Sequence, residues 1–295
     1  MKIIQGDALI KLKSLEEKSI DCVITSPPYW ALRDYGIDGQ IGRENSFEEY
    51  VENLCKIFDE VKRVLKPMGT VWVNLGDTYG TQSGAMRDGK FGPKNTNNQT
   101  FTQPKSIHKC LLQIPSRFAI AMIDRGWILR NEIVWHKPNA MPSSVKYRFS
   151  VDYEVIYFFV QQKKYYFEQR LEPFVSNNDV EYRRALRRTS DYTVKKPYKN
   201  NFPKSFNDAG RNKRSVWTIA TKPFRGSHFS TFPEKLVETP IKAGCPVGGT
   251  VLDPFAGAGT TLIVAERLGR KAMGIEINPE YIKIAENRNP ASIFI

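Results

Sequence analysis

No apolar run in this sequence is long enough to cross a bilayer. The longest, around Val155–Val160, falls far short of the ~20 residues that a spanning helix needs. The N-terminus, Met1-Lys2-Ile3-Ile4-Gln5-Gly6-Asp7, turns polar at once and offers no signal-peptide core. A soluble, cytoplasmic protein with no membrane partner is expected. Cysteine is scarce as well. Cys22, Cys55, Cys110 and Cys245 are scattered with no Cys-x-x-Cys pair, which argues against a zinc site or a redox pair. His108, His136 and His228 lack metal-ligand spacing, so no metal is expected. Acidic residues are outnumbered, 31 against 44 Lys and Arg, giving a net charge of +13.

With 295 residues, 41% of them hydrophobic, the chain can build one large α/β domain with an insertion, or two domains. Lys2–Ile4 and Asp21–Thr25 read as short buried strands, with a helix over Ala8–Leu15 between them. Ser46 and Glu49 have capping-box spacing. Phe47, Tyr50, Val51, Leu54, Phe58, Val61 and Leu65 then recur at helical spacing, and Pro67 and Gly69 are expected to stop that helix. Thr70–Leu75 is a strand. Pro115 opens a helix carrying Phe118, Ala121 and Met122 to a stop near Gly126, and Trp127–Trp135 and Val151–Val160 are strand-like. Order resumes at Val216–Ala220, and Phe232-Pro233 opens a helix. The end of the chain alternates strand, glycine loop, helix, strand and helix: Thr250–Asp253, Leu262–Leu268, Ala272–Ile277 and Glu280–Asn287. This alternation predicts an α/β fold with a mainly parallel sheet covered by helices on both faces.

Two stretches break the pattern. Gly80 to Ser106 is polar and aperiodic, and reads as a lid or DNA-facing loop, or as an insertion without a role. Residues 161–215 are basic and loop-rich. From 183 to 225 there are thirteen Lys and Arg against Asp191 and Asp208, interleaved with Tyr192, Tyr198, Phe202, Phe206 and Trp217. Such a block is a solvated surface or a nucleic-acid contact, since Lys and Arg neutralise phosphates and Arg and Asn read base edges. The interleaved aromatics favour nucleic acid. Arg183, Arg184, Arg187, Arg188, Lys195, Lys196, Arg211, Lys213 and Arg214 are the candidate DNA contacts.

Two short motifs carry the chemistry. Phe255-Ala256-Gly257-Ala258-Gly259 lies between a strand and a helix, where glycines let backbone amides approach a ligand. Glu276 ends the next strand, at the separation from which an acid binds ribose hydroxyls. The third glycine of a dinucleotide site is missing, and so is the Gly-Lys-Ser/Thr of a phosphate loop. A nucleoside cofactor without phosphates fits, and S-adenosylmethionine is one. The second motif, Thr25-Ser26-Pro27-Pro28-Tyr29-Trp30, follows a strand, where open α/β sheets bind ligands. Its prolines remove two backbone donors. The Ser26 hydroxyl and Pro27 carbonyl can then accept from an exocyclic amino group, and Tyr29 can stack an extruded base. Taken alone, the motif could equally be a rigid turn or a polyproline ligand.

At these residues the chain resembles the amino-methylating DNA methyltransferases in their permuted order, the β class. The resemblance covers 1–160 and 216–295. It implies that Ser26, Pro27, Pro28 and Tyr29 are catalytic. It also implies cofactor-binding roles for Asp7 and Ala8, with Asp7 near the adenine, and for Phe232 and Pro233 beside the methionine portion. Asp253, Pro254, Phe255, Gly257, Gly259, Thr260 and Glu276 complete that site. Arg63–Pro67 with Gly69–Val73 matches the helix–strand unit behind the catalytic motif. Residues 1–160 are then the catalytic part, 161–215 the target-recognition region and 216–295 the cofactor-binding part. Ser before Pro-Pro implies methylation of cytosine N4 in duplex DNA, with adenine N6 as the alternative. A cognate restriction endonuclease is an implied partner, and the chain is expected to be a monomer or homodimer. C5-cytosine chemistry needs a Pro-Cys nucleophile, and only the reversed Cys245-Pro246 is present. The zinc set of a base deaminase is absent. Two further readings stay open: a methyltransferase for RNA or protein, and a DNA-binding protein that has lost catalysis.

Overall fold

The structure, a computed structural model, describes residues 1–32, 36–37, 39–80, 107–173, 210–221 and 232–288. The described residues form ten strands: β1 (Lys2–Gln5), β2 (Ile20–Thr25), β3 (Leu65–Leu75), β4 (Ile128–His136), β5 (Tyr153–Val160), β6 (Leu171–Glu172), β7 (Arg211–Asn212), β8 (Val216–Thr218), β9 (Thr250–Asp253) and β10 (Lys271–Glu276). They also form six helices: α1 (Ala8–Lys13), α2 (Phe47–Val64), α3 (Ile114–Asp124), α4 (Glu234–Gly244), α5 (Thr260–Arg267) and α6 (Pro279–Arg288). No helix among them is long and apolar enough to cross a membrane.

Eight strands make one sheet in the order β1-β10-β9-β2-β3-β5-β4-β8. All its pairings are parallel except those of β5 with β3 and β4, so β5 alone runs against the other seven. The period-two alternation of strand side chains splits the core into two layers. Val23, Val71, Val73, Tyr157 and Phe159 pack with α1, α2 and α3. Ile24, Trp72, Ile156 and Phe158 pack with α4 and α5. On this second face Trp72 and Phe158 stack with centroids 4.0 Å apart and planes at 1°. Such a pair contributes about 0.5–1.5 kcal/mol beyond its buried area.

Local chemistry sets the element ends. The Ser46 hydroxyl accepts from Glu49 N at 3.2 Å and caps α2, whose expected apolar face is buried throughout. Pro115 lies in the first turn of α3. That helix has no cap of its own, so Asp77 supplies one, accepting from Gln113 N at 3.0 Å and Ile114 N at 3.1 Å.

Several expected boundaries move, and three of the shifts have a clear local cause. The helix α1 stops at Lys13, because Ser14 turns its N–H back onto Leu12 and Lys11. The helix α2 ends at Val64, before Pro67 can act, and Leu65 is already extended. Ile20 pairs with Leu65 and Cys22 with Thr70, so residues 66–69 bulge opposite Asp21 alone. A proline is tolerated at such a bulge because no ladder bond needs its missing N–H. The last glycine of the loop caps α5, which therefore begins at Thr260 rather than Leu262. The aperiodic stretch 81–106 lies outside the described residues.

The chain divides into two compact units, Met1–Glu168 with Ser215–Ile295, and Gln169–Arg214. In the smaller unit the described residues form the antiparallel pair β6 and β7.

Candidate active site

Because β5 alone is inverted, one edge of the sheet collects the C-terminal ends of β1, β2, β3, β4, β9 and β10 and the start of β5. Both motifs lie on this edge. The strand β2 delivers Thr25 and β9 delivers Asp253. Thr25 Oγ1 donates to Asp253 Oδ1 at 2.6 Å. Phe255 N donates to the same oxygen at 3.0 Å, and Thr261 Oγ1 donates to Oδ2 at 2.7 Å. Asp253 is 1% exposed, and burial pushes its carboxyl up to about 6 against those three bonds. Its side chain is therefore a clasp between the two motifs. It faces into the protein, and Pro254 beside it is buried too.

The Ser-Pro-Pro-Tyr motif is held from several sides. The Pro28 carbonyl accepts from the buried Tyr50 hydroxyl at 2.8 Å. Pro27 is buried, while Ser26 and Tyr29 are half-buried. The Tyr29 hydroxyl lies 2.7 Å from Glu154 Oε2 and 3.1 Å from Asn74 Oδ1. The shorter contact takes its proton. Ser26 Oγ lies 3.3 Å from both Tyr29 Oη and Asn74 Oδ1, so its hydroxyl hydrogen points into the network and its lone pairs remain available. Asn74 Nδ2 donates to the Val155 carbonyl at 3.1 Å, which turns its oxygen towards Ser26. Glu154 is ion-paired through Oε1 with Lys137. Burial, and then the Glu154 charge, raise the Tyr29 phenol well above its ordinary value, so it stays a donor. Gly76 sits against the ring: a Cβ there would stand 2.6 Å from Tyr29 Cε2.

The glycine loop follows β9. Gly257 has φ +50° and Gly259 φ +75°, both in the left-handed region that side chains avoid. A Cβ on Gly259 would meet Ala285 of α6 at 2.8 Å, whereas the space above Gly257 is open to 4.0 Å. Glu276 Oε2 accepts from Gly257 N at 2.7 Å and Oε1 from Asn278 N at 2.8 Å. Burial raises this carboxyl, and the backbone donors pull it back. Gln5 pairs with Glu276 across the sheet, which brings Gly6-Asp7 alongside. Asp7 caps α1 through Ile10 N at 2.9 Å, and Ala8 is buried beneath it. Thr260, the first residue of α5, is buried, and its hydroxyl lies 3.2 Å from Arg288 Nη1. Phe232 lines a small apolar cavity with Thr25, Trp72, Asn74 and Leu236, and Pro233 caps α4.

A family of DNA methylases that covers amino methylation at N6 and N4 matches residues 20–287. This chain belongs to that family. The methylase is 41% identical to the type II methyltransferase M.Cfr9I of Citrobacter freundii over 288 residues, 97% of this chain and 86% of the relative. It is 38% identical to the type II methyltransferase M.SmaI of Serratia marcescens over 291 residues, 97% of this chain and 90% of the relative. In fold it is similar to the cytosine-N4-specific PvuII DNA methyltransferase, with a TM-score of 0.66 and 22% identity over 99% of this chain and 86% of that one. A putative DNA modification methylase from Thermus thermophilus, solved in complex with S-adenosyl-L-methionine, superposes with a TM-score of 0.61. It is 24% identical over 99% of this chain and 96% of that one.

The edge of the methylase's sheet thus gathers Ser26–Tyr29, Asp7, Phe232, Asp253–Gly259 and Glu276. Arg183, Arg184, Arg187, Arg188, Lys195 and Lys196 lie outside the described residues. In the smaller unit Arg211 Nε is 3.0 Å from Glu172 Oε1, and Lys213 Nζ is 3.9 Å from Oε2. Arg214 is exposed. Sequence reasoning missed Asn74, Gly76, Lys137 and Glu154. A polar residue inside Val71-Trp72-Val73-Asn74-Leu75, and an acid opening the apolar strand β5, were the available signals.

Proposed function

We propose that this methylase transfers a methyl group from S-adenosylmethionine to the exocyclic N4 amino group of a cytosine rotated out of duplex DNA. We assign it to the modification half of a type II restriction–modification pair, as the names of its relatives suggest. One observation carries the N4 reading: a serine hydroxyl with open lone pairs directly follows β2, and a neighbouring clasp ties it to the glycine loop. The N4 specificity of the PvuII enzyme, which has a similar fold, supports it.

The residues present fit the cofactor. Glu276 keeps lone pairs beyond its two backbone donors, enough to accept from ribose hydroxyls. Gly257 leaves its outer face open, and the described loop carries no Lys or Arg that would match phosphates. When bound, S-adenosylmethionine supplies a methyl group on a cationic sulfur, the electrophile that a weak amine needs.

The chain's own groups then act on the base. Ser26 Oγ and the Pro27 carbonyl accept from the amino group, drawing its lone pair out of the ring. The Tyr29 ring stacks the base, contributing about 1–3 kcal/mol against the cost of extrusion. The methylated amino group must lose one proton. It passes to Ser26 Oγ, the serine proton passes to Tyr29 Oη, and the tyrosine proton passes to Glu154 Oε2. Glu154 ends neutral beside Lys137 and later releases the proton to water. The basic segment 161–215 supplies phosphate contacts and target recognition in this reading.

Long-read sequencing of DNA from cells expressing the chain tests the proposal. The expected signal is 4-methylcytosine at one recurring short sequence. A 6-methyladenine signal would reject the N4 assignment, and unmodified DNA would reject the activity.

A further inference from the structure

The connection from β4 to β5 borders the candidate site. It runs from Lys137 to Asp152 and is closed at its base by Lys137 N donating to the Asp152 carbonyl at 2.7 Å. Asn139 fixes its first turn to Thr221, donating from Nδ2 at 2.9 Å and accepting from Thr221 N at 2.9 Å. The base of this loop is thus firmly anchored, and it adjoins the Lys137–Glu154–Tyr29 network of the site.

Between these anchors the loop is the opposite of a core. Phe149 at 96% and Met141 at 88% are the two most exposed large apolar side chains among the described residues, and Tyr147 is 66% exposed. Scattered apolar side chains on a surface need no explanation, but three on one loop, between Met141 and Phe149, do. The flanking charge is mainly positive, the one acid being Asp152 at the base of the loop. Lys146 and Arg148 lie in the loop, and no acid occurs from 138 to 151. Lys109 Nζ sits 4.8 Å from the Tyr147 ring centroid, and the Arg148 guanidinium 3.6 Å from that of Tyr79.

From this we infer that the β4–β5 loop is a wedge for duplex DNA. Phe149 and Met141 enter the base stack at the gap that an extruded cytosine leaves, while Lys146 and Arg148 hold the flanking phosphates. Exposed apolar side chains suit the dry faces of stacked bases, and the cations suit the backbone on either side. The inference rests on the DNA-methylase reading. It places a contact in the larger unit, apart from the basic segment 161–215.

Photocrosslinking and turnover together test the wedge. With p-benzoylphenylalanine replacing Phe149, the full chain should crosslink to duplex DNA on irradiation. The same residue at Ile120, an exposed position of α3, should not. Turnover is compared on two duplexes carrying the sequence recovered from modified DNA, one intact and one with an abasic site opposite the target. The double variant M141A/F149A should lose about tenfold or more on the intact duplex and stay close to wild type on the other, where extrusion is cheap. Crosslinking no stronger at 149 than at 120, or equal losses on both duplexes, would overturn the inference. Failure of the unaltered protein to methylate either duplex would count against the proposed activity instead, and the crosslink would still report on the loop.

Discussion

Thr25 and Asp253 lie 228 residues apart in sequence and are joined by a 2.6 Å hydrogen bond in the middle of the sheet edge. One precedes the Ser-Pro-Pro-Tyr motif and the other precedes the glycine loop. The β2–β9 ladder and this buried carboxylate together hold the two motifs side by side.

That carboxylate gives a pH signature. Its value rises from 3.8 in the unfolded chain to about 6 in the fold, with burial as the cause. The folded state thus holds the proton more tightly. The contribution of Asp253 to stability is fully present below pH 3.8 and is lost as pH rises through about 6. The upper bound on that loss is about 3 kcal/mol. The variant Asp253→Asn keeps the shape and removes the titration. Denaturant unfolding at several pH values should show wild type losing stability relative to the variant between pH 4 and 6. A constant difference across that window would refute the assignment.

The proton route makes a second prediction. Tyr29→Phe keeps the stacking ring and cuts the link to Glu154. Glu154→Gln keeps the ring and hydroxyl and removes the acceptor. Each should slow single-turnover methyl transfer by about a hundredfold or more, with cofactor binding unchanged. Glu154→Asp should recover part of the loss, and a solvent isotope effect on the wild-type step should shrink in Glu154→Gln. Near-normal rates in both variants would remove Tyr29 and Glu154 from the route.

Gly76 makes a third. Its backbone is not in the left-handed region, so alanine is tolerated locally. The new Cβ would stand 2.6 Å from Tyr29 Cε2 and push the ring from its seat. Gly76→Ala should lower transfer by about tenfold while moving the unfolding midpoint little, since a half-buried ring can yield. Equal loss of activity and of folded protein would contradict this.

Gly244 is the structural counterpart. A Cβ there would run into Thr70 Oγ1 and lie 2.6 Å from Trp72 Nε1, both buried. Gly244→Ala should cost about 1–3 kcal/mol in denaturant unfolding, with little change in turnover per folded molecule. An unchanged midpoint would show that α4 can shift away from the sheet.

How much of this was legible in the sequence follows from how local each signal is. The Ser46 cap, the buried face of α2 and the alternation after Thr250 depend on neighbours within a few residues, and they read correctly. Lys66-Pro67-Met68-Gly69 reads as a helix stop because nothing local reveals that Leu65 pairs with Ile20 across a bulge. The two motifs stood out because prolines and glycines mark them. Asn74 and Glu154 did not, because their meaning comes from Tyr29, which is 45 and 125 residues away. Asp253 showed its importance but not its role, since a clasp and a ligand contact look alike in one dimension.

The most direct measurement is the identity of the labelled nucleoside. Duplex DNA is incubated with the protein and S-adenosylmethionine tritiated in its methyl group, digested to nucleosides and separated. The account predicts radioactivity in 4-methyl-deoxycytidine, and its loss with Ser26→Ala. Label in 6-methyl-deoxyadenosine or 5-methyl-deoxycytidine, or undiminished label with Ser26→Ala, would contradict it.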